Sequence, residues 1–425
     1  MKPLIVQKYG GSSLSEPAQI RDVAKRVAEL HQAGHRVLVV VSAMGKTTDQ
    51  LVDLAYQVSP SPNRRELDML LTTGERVSMA LMSMALNELG CPAISFTGSQ
   101  AGLFTDEAHS NARINDIRPT RVESELSRGT VVVLAGFQGV SPRTKEVTTL
   151  GRGGSDTTAV AMSAYFRAER CEILKDVDGV RSADPSVIKN TEHISKLHYL
   201  QLLEMTFWGA KVLHYRSVEL AYLLNIPIII TLAHPKTEST PESGPPPESK
   251  THLAHQTMVD GDAPMYEQAR ILSVNSHKDV RWIEVKRPDL GVSLDTLAQH
   301  LKMAGLPLPQ FLDSEKRGDS WTFLVTASTE TLNATAKLTE QENPLAMIIA
   351  AHPLASVTAT CQGTFASPLP QEIASALAAR AVVVHKMIFS ALSVTVVVDA
   401  KDREKSIDLI HNLKLMPLAP VSTGA

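Results

Sequence analysis

A lysine stands two residues before a pair of glycines near the amino terminus, in the run KYGGSS at residues 8–13. A short β-branched stretch precedes this run and a helical pattern follows it, so the glycines fall at a strand-to-helix turn. Glycines there let backbone N–H groups approach an anion, and Lys8 adds a full positive charge. The run indicates phosphate binding, although a tight turn without a ligand would use the same two glycines.

A second glycine-rich run, GRGGSD at residues 151–156, precedes an aliphatic helix pattern. An arginine beside free backbone N–H groups at a helix N-terminus is a receptor for carboxylate or phosphate, because its planar fork binds two oxygens at once. A solvated surface arginine is the alternative. The run fails the dinucleotide fingerprint, since Asp156 stands at its third glycine position, and this disfavours a Rossmann oxidoreductase.

A third candidate, SAMGKTT at residues 42–48, follows an apolar strand pattern and ends like a P-loop. Its first glycine would have to stand at residue 40, which is Val40. A Walker-type nucleotide triphosphatase is therefore disfavoured.

Carboxylates mark two further places in the sequence. Glu75 follows Thr-Thr-Gly at a predicted helix start, where the helix dipole alone would favour it. The run KDVDGVRSADP at residues 175–185 carries carboxylates suited to ribose hydroxyls, to solvated Mg²⁺ or only to turn formation. His193 and His198 are five residues apart, which is not the spacing of a helical metal pair, so we interpret both as structural and predict no metal-ligand set.

The elements that must position these residues alternate between strand and helix over residues 1–232, which is the pattern of a sheet between helices. The predicted strands are Leu4–Tyr9, Val37–Val41, Thr130–Ala135, Cys171–Leu174 and Pro227–Thr231. The predicted helices are Pro17–Ala33, Glu75–Leu89, Arg121–Ser127, Asp156–Arg167 and His214–Leu224.

A proline-rich stretch at residues 234–253 has almost nothing apolar to bury and is interpreted as a linker. Two β-α-β-β-α repeats follow, and we expect them to form one sheet in a regulatory and dimerising module that is separable from the chemistry. The first repeat is predicted as strand Arg281–Lys286, a loop with Gly291, helix Leu294–Met303, strands Leu308–Leu312 and Trp321–Ala327, and helix Glu330–Leu338. The second is predicted as strand Ser356–Cys361, helix Gln371–Ala379, strands Val382–Ile388 and Leu392–Val398, and helix Asp402–Leu413.

Composition indicates the cellular compartment and limits the classes of binding partner. The chain has 425 residues, a formal net charge of −3 and three widely spaced cysteines. Near-neutral charge provides no global field for a nucleic acid or a membrane surface. Isolated cysteines and the lack of a leader or spanning segment fit a cytoplasmic protein, so we expect no membrane partner and no nucleic acid.

Taken together and in order, seven segments resemble those of the aspartate kinases, a family within the amino-acid kinase superfamily. They are KYGGSSL, VVSAMGKTTDQL, GERVSMALM, FTGSQAGLFTD, LGRGGSDTTAVAMS, KDVDGVRSADP and GAKVLHYRSVELA, within residues 5–233. The resemblance implies an α/β fold, with a three-layer amino-acid-kinase sandwich followed by two ferredoxin-like ACT domains. The implied boundaries are a catalytic domain at 1–233, a linker at 234–265 and tandem ACT-like domains at 266–425.

The resemblance also implies an activity, which is the ATP-dependent phosphorylation of the β-carboxylate of L-aspartate to 4-phospho-L-aspartate. This reaction is the entry to lysine, threonine and methionine biosynthesis. A carboxylate nucleophile is already ionised at neutral pH and needs no general base. The implied cofactors are ATP and Mg²⁺, and the implied partners are L-aspartate, a second copy of the chain joined through the ACT-like domains, and an amino-acid effector.

Carried over residue by residue, the resemblance assigns the site. Lys8 would stabilise the transferring phosphoryl group, Asp156 would orient Lys8 or the metal-bound phosphates, and Glu75 would accept the substrate ammonium. The substrate-binding set is Ser12, Thr48, Glu75, Arg152, Gly153 and Ser155. The ATP-binding set is Lys8, Gly10, Gly11, Ser42, Lys175, Asp176, Arg181, Asp184 and Lys211.

This sequence departs from the family pattern at several positions. The family usually has tyrosine at Arg181, often arginine at Ser186, and threonine more often than lysine at Lys175. Residues 364–368, TFASP, replace a glycine-rich effector loop. Two other functions are therefore considered: a kinase of the same superfamily for acetylglutamate, glutamate or carbamate, and a catalytically weak amino-acid-sensing regulatory subunit.

Overall fold

The computed structural model describes residues 2–234, 256–262, 270–286, 289–303, 308–328, 331, 333, 347–349, 352–362 and 368–413. The chain divides into two compact units. The first comprises Met1–Val180, His193–Thr206 and Lys211–Pro264, and the second comprises Arg181–Glu192, Phe207–Ala210 and Met265–Ala425. The chain therefore enters the second unit twice, briefly, before its carboxy-terminal part begins.

Alternating strands and helices build the first unit. Its strands are β1 (Leu4–Tyr9), β2 (Arg36–Val41), β3 (Ala93–Phe96), β4 (Leu103–Thr105), β5 (Ile114–Ile117), β6 (Val131–Ala135), β7 (Gln138–Val140), β8 (Val147–Thr149), β9 (Arg170–Lys175), β10 (Val180–Arg181, at the boundary), β11 (His193–Ile194), β12 (Lys196–His198), β13 (Ile228–Leu232) and β14 (Gln256–Asp260). Its helices are α1 (Pro17–Gln32), α2 (Thr47–Val58), α3 (Arg64–Glu88), α4 (Thr120–Ser127), α5 (Gly154–Tyr165), α6 (Tyr199–Phe207) and α7 (Tyr215–Leu224).

Eight strands form the central sheet, in the order β12-β14-β13-β9-β1-β2-β6-β3. Neighbouring strands are parallel except for β13 and β14. Side chains of a strand alternate between the two faces. Tyr9, Val39 and Val133 pack with α1 and α3 on one face, while α5 contacts β1, β2 and β9 and pairs with Lys8, the neighbour of Tyr9. The predicted three-layer sandwich is confirmed.

A smaller sheet lies beside the central one in the first unit, with the order β5-β4-β7-β8. A buried hydrogen bond between Thr105 and Thr148, 2.6 Å long, joins β4 to β8. Strand β8 leads directly into the glycine-rich run at residues 151–156. This small sheet therefore fixes the entry to that run.

The five predicted strands of the first unit match β1, β2, β6, β9 and β13 to within about one residue. Two expectations are wrong. Helix α3 begins at Arg64, where the Asn63 side chain accepts a hydrogen bond from the Arg65 N–H at 2.9 Å. Glu75 thus lies in the middle of the helix and does not interact with an N-terminal dipole. In addition, Gln256–Asp260 of the predicted linker forms β14 and pairs with β13; residues 235–255 lie outside the described residues.

In the part of the second unit that the structure describes, the carboxy-terminal strands form one antiparallel sheet with helices packed on it. Its strands are β15 (Arg270–Val285), β16 (Gln310–Arg317), β17 (Ser320–Thr326), β18 (Met347–Ile349), β19 (Leu354–Gln362), β20 (Val384–Phe389) and β21 (Ser393–Asp399). Its helices are α8 (Leu290–Met303), α9 (Leu369–Ala378) and α10 (Arg403–His411). The sheet order is β16-β17-β15-β19-β21-β20, with β18 beside β15. The predicted single sheet is confirmed.

Long strand β15 joins the two repeats, because its first half pairs with β19 and its second half with β17. It begins at Arg270, well before the predicted start at Arg281. Gly291 lies in the first turn of α8 and not in a loop. The predicted helix Glu330–Leu338 and the segment at residues 364–368 lie almost wholly outside the described residues.

The two short segments Arg181–Glu192 and Phe207–Ala210 contribute apolar residues to the cores of the second unit. Val187 and Ile188 pack against a core built from β19, β21, α9 and α10. Trp208 is buried in another cluster with Val280 and Leu324. Within the described ranges, no helix combines the length and the apolar character needed to cross a membrane.

Candidate active site

A buried ion pair lies at the centre of the first unit. Lys8, near the end of β1, places its Nζ 2.6 Å from Oδ1 of Asp156 in the first turn of α5. Burial alone would raise the pKa of Asp156, but the charges of Lys8 and Lys175 outweigh this effect and lower it. The carboxylate is therefore ionised and Lys8 has a fixed position.

The turn after β1 is shaped by close approach to a neighbouring loop. A side-chain Cβ at Gly11 would lie 2.6 Å from the Ala43 oxygen, so only glycine fits there. The Gly45 N–H donates to the Gly11 oxygen at 2.9 Å. A Cβ at Gly10 would lie 3.8 Å from the Lys8 Nζ, which places the glycine turn next to the cation.

The carboxyl ends of adjacent parallel strands bring several predicted residues together. Strands β9, β1 and β2 are neighbours, and they end at Lys175, Tyr9 and Val41. Burial lowers the pKa of Lys175, the nearby Lys8 lowers it further, and Asp156 opposes both effects. Ligands of open α/β sheets bind outside the carboxyl ends of the strands. Lys8 and Lys175 both interact with the charge of Asp156 at this edge, which makes it a candidate site for an anion.

Glu75 extends the site from α3. Its Oε1 accepts a hydrogen bond from the Ala43 N–H at 3.1 Å, while its buried Oε2 has no hydrogen-bond partner. Gly74 allows this contact, because a Cβ there would lie 2.8 Å from that of Ala43. Burial raises the pKa of Glu75 to about 7. A buried acceptor without a partner is costly, so the structure is prepared for a donor or a cation at Oε2.

The run at residues 151–156 leads from β8 into α5, whose Asp156 pairs with Lys8. Gly153 has φ +68°, and a Cβ there would lie 2.1 Å from that of His214. Ser155 is buried, and Gly136 approaches it so closely that a Cβ on this glycine would lie 2.8 Å from the serine Cβ. Arg152 is exposed. An exposed guanidinium beside a buried polar wall is available to a ligand from solvent.

His214 is a residue of this site that the sequence reasoning did not single out. It precedes α7, and its Nδ1 accepts from the Arg216 N–H at 3.4 Å. Burial lowers its pKa, the charges of Arg216 and Arg152 lower it further, and Asp156 opposes them. The histidine is therefore neutral at neutral pH and packs against Gly153 without adding charge.

Two further residues hold the chain just before the glycine-rich run at residues 151–156. The sequence analysis did not single out either of them. Asp68 of α3 is fully buried and accepts hydrogen bonds from the Thr149 Oγ1 at 2.6 Å and the Ser110 N–H at 3.1 Å. Arg216 donates to the Leu150 oxygen at 2.7 Å. A carboxylate on the buried face of a helix pattern is the sequence signal that identifies such an anchor.

The other predicted residues have the following positions. Ser12 and Asp176 are exposed, while Ser42 and Thr48 are half-buried. Lys211 is exposed between α6 and α7. Arg181 and Asp184 lie in the second unit. There Arg181 Nη1 donates to the Thr191 oxygen at 3.1 Å, and Asp184 Oδ1 accepts from the Ser186 hydroxyl at 2.6 Å.

His193 and His198 both bond to main-chain groups. The His193 Nε2 lies 3.1 Å from the Asp178 oxygen, and the His198 Nδ1 accepts from the Leu200 N–H at 3.1 Å. These contacts agree with their interpretation as structural residues.

A family model described as the amino acid kinase family matches residues 3–232 of the chain. An aspartokinase from Mycolicibacterium smegmatis is 56% identical over 225 residues, which cover 53% of each chain. An aspartokinase from Geobacillus stearothermophilus is 44% identical over 300 residues, which cover 70% of this chain and 72% of the relative. With the first of these, as with several other curated relatives, the match spans about half of the relative's length.

The fold is similar to that of E. coli aspartokinase III. The structure of that enzyme with aspartate and ADP has a TM-score of 0.75 and 19% identity, and the match covers 96% of this chain and 99% of the other. Its structure with lysine and aspartate has a TM-score of 0.65 and 20% identity, covering 96% and 98%. At these identities the likeness shows a shared fold.

The raised pKa of Glu75 generates a test. Because the folded state binds this proton more tightly than the unfolded state, the stabilisation is complete below pH about 4.5 and is lost as the pH rises through about 7. We expect the free energy of unfolding of the wild type, relative to Glu75→Gln, to fall by on the order of 3 kcal/mol from pH 4.5 to 8. Urea unfolding at several pH values measures this difference.

The matched control is Glu88→Gln, which alters an exposed glutamate of the same helix. Its difference from the wild type should not follow the pH dependence seen with Glu75→Gln. A Glu75→Gln difference that is flat or rises over this range contradicts the assigned burial effect.

Proposed function

Because the chain belongs to the amino acid kinase family, and within it to the aspartokinases, we propose that it phosphorylates the β-carboxylate of L-aspartate with ATP, yielding 4-phospho-L-aspartate and ADP. The family resemblance of the seven sequence segments is thus confirmed. The observation that carries the proposed activity is the buried Lys8–Asp156 pair near the carboxyl end of β1. Glu75, which has a buried oxygen without a partner, bonds to Ala43 in the loop that Gly11 contacts. E. coli aspartokinase III, which shares the fold, binds aspartate and ADP.

In the proposed reaction an oxygen of the ionised β-carboxylate attacks the γ-phosphorus, and the bond from this phosphorus to the β,γ-bridging oxygen of ATP breaks. Such a transfer depends on positioning and on cations around the transferring group more than on proton transfer. Lys8 supplies a cation whose position Asp156 fixes before the substrates arrive. Nothing in the step requires a base, which agrees with a neutral His214.

On the nucleotide side, backbone N–H groups at Gly10 and Gly11 and the charge of Lys175 would hold phosphates. Ser42, Asp176 and Lys211 would surround the nucleotide, and Arg181 and Asp184 stay predicted nucleotide residues. At such sites Mg²⁺ is coordinated by the phosphates of the nucleotide and usually by one or two carboxylates of the protein. Asp156 and the exposed Asp176 fit that requirement, and the metal would neutralise phosphate charge.

On the acceptor side, Glu75 would receive the substrate ammonium at Oε2. The ammonium favours the ionised form of Glu75, so binding lowers its raised pKa and satisfies the buried oxygen. Arg152 would clamp the α-carboxylate, and Ser12, Thr48, Gly153 and Ser155 would line the pocket. This pairing selects a free amino acid and disfavours acetylglutamate or carbamate, which lack a free α-ammonium.

The regulatory proposal is that the second unit is an ACT-type module that joins two chains and binds an amino-acid effector. E. coli aspartokinase III is described in a lysine-bound state, and this chain has sheet edges at β16 and β20. The chain passes from β9 into the second unit at Arg181. Because Arg181 and Asp184 belong to the second unit, an effector that changes the conformation of this unit would also displace these two predicted nucleotide residues. We place the protein in the cytoplasm, in lysine, threonine and methionine biosynthesis.

Lys8→Ala should lower kcat by roughly 10²-fold or more, because one fixed electrostatic group is lost from the transferring phosphoryl group. Hydroxylamine trapping of the acyl phosphate, with aspartate and ATP varied separately, measures this. Lys25→Ala, an exposed lysine on α1, is the control. A kcat within a few-fold of the wild type with only the ATP KM raised would exclude the role of Lys8 in the chemical step.

Arg152→Ala should raise the aspartate KM about tenfold, the scale of one charge-assisted hydrogen bond, and change the ATP KM little. Initial rates over a matrix of both substrates separate the two constants. Arg128→Ala removes an exposed arginine at the end of α4 and is the control. Equal changes in both constants would move Arg152 to the nucleotide side.

Lysine, threonine or methionine should change activity with a coupling of about 1–3 kcal/mol, and the chain should sediment as a dimer. Each amino acid is titrated against the rate and against the sedimentation coefficient. A monomer at micromolar concentration refutes the dimer. Indifference to all three amino acids removes the sensing role and leaves the dimer standing.

A further inference from the structure

Two histidines and one aspartate converge in the second unit, which contains neither Lys8, Glu75 nor Arg152. The His352 Nε2 lies 2.9 Å from Asp399 Oδ1, and the His385 Nε2 lies 2.6 Å from the same oxygen. All three potential ligand atoms lie within 4.8 Å of one another. The phosphoryl-transfer chemistry uses none of them.

Three chain segments build this cluster, and the strand register explains how. Asp399 is the last residue of β21, between β19 and β20, and lies opposite Leu354 of β19. His352 stands two residues before β19 starts. His385 lies where the register of β20 shifts between Val384 and Lys386. A bulge of this kind re-aims a side chain, and here it brings an edge-strand imidazole to the same oxygen as the loop imidazole.

We propose that His352, His385 and Asp399 bind a divalent transition-metal ion of the Zn²⁺ type. Imidazole nitrogens and a carboxylate oxygen are ligands that Zn²⁺ takes at about 2.0–2.2 Å. Two such ligands on a tetrahedral ion lie roughly 3.3 Å apart. The two Nε2–Oδ1 separations would open by less than about 1 Å to reach this value, and the ligand atoms of the two imidazoles already lie within 4.8 Å of each other. The His352 side chain is 62% exposed and the His385 side chain 35%, so water can reach the ion and complete its coordination.

A simple hydrogen-bond network is the competing explanation. The Asp399 side chain is only 14% exposed, so it needs donors from the protein, and the two imidazoles supply them at one oxygen when no ion is bound. The same convergence of two imidazoles on one carboxylate is a set of ligands for an ion, and the titration below distinguishes the two explanations. The ammonium of Lys401 lies 3.6 Å from the other oxygen, Asp399 Oδ2. It opposes a cation, but its side chain is 77% exposed and is free to turn away.

The ion would link β19, β20 and β21, the outer strands of the second repeat. Binding to the folded state alone stabilises that state. The site would therefore rigidify the β20 edge of the sheet and make the stability of the second unit depend on metal.

The experiment is calorimetric titration of Zn²⁺ into tag-free, chelator-treated full-length protein without nucleotide. We expect one Zn²⁺ per chain to bind at this site in the micromolar range. Changing a ligand's outer-shell partner already costs about 10–100-fold in affinity, so Asp399→Asn and His385→Gln should each weaken this binding at least about tenfold. His411→Gln is a control in the same unit, and Asp156→Asn is a control for zinc that binds at the kinase site instead. Both variants should bind zinc as tightly as the wild type.

A second measurement does not depend on variant folding. Imidazole nitrogen spectra of the ¹⁵N-histidine-labelled wild type should show two Nε2 resonances shifting with one equivalent of Zn²⁺. The proposal is overturned if no zinc binds up to 100-fold excess, if zinc shifts other histidines instead, or if folded Asp399→Asn binds zinc as tightly as the wild type.

Discussion

A cation held against a carboxylate inside the first unit is the interaction on which the site depends. Removing Lys8 and Asp156 from water costs several kcal/mol per ion, and an apolar pair of similar volume is often more stable. The amino end of α5 and the charge of Lys175 offset part of this cost for Asp156. Stability alone therefore does not explain the pair. The pair holds a positive charge in a fixed position, and this is the property that the proposed phosphoryl transfer would use.

Close backbone approach is the second constraint, and glycines provide it at the places where elements meet. Gly11 meets the loop after β2, Gly74 lets α3 approach the same loop, and Gly136 lets the end of β6 approach Ser155. Each would clash with a neighbour if it carried a Cβ. The charged and polar groups of the site thus lie on closely packed elements that fix their positions. Such fixed positions are the condition for electrostatic preorganisation.

Periodicity predicted five of the eight strands described in the central sheet, because buried parallel strands are short, apolar and β-branched. It predicted the start of α3 wrongly, since Thr72, Thr73 and Gly74 resemble a helix start, while burial of one face of the helix from Asp68 onward overrides that local signal. Strand β14 was missed because five residues beside a proline-rich stretch show little pattern. Asp68 was overlooked although a carboxylate on the buried face of a helix pattern could have identified it. His214 and the cluster of His352, His385 and Asp399 were not recognised, since only the tertiary fold brings them to their partners.

The division of the chain has a consequence for anyone who wishes to exchange modules between such proteins. Val187, Ile188 and Trp208 supply apolar surface to cores of the second unit, although they precede the proline-rich stretch. A cut in that stretch would leave these residues on the amino-terminal fragment with nothing to bury them, and the other fragment would lack part of its cores. The second unit is therefore not a transferable cassette. A chimaera that keeps both parts intact has to carry residues 181–192 and 207–210 from the same parent as its sheet.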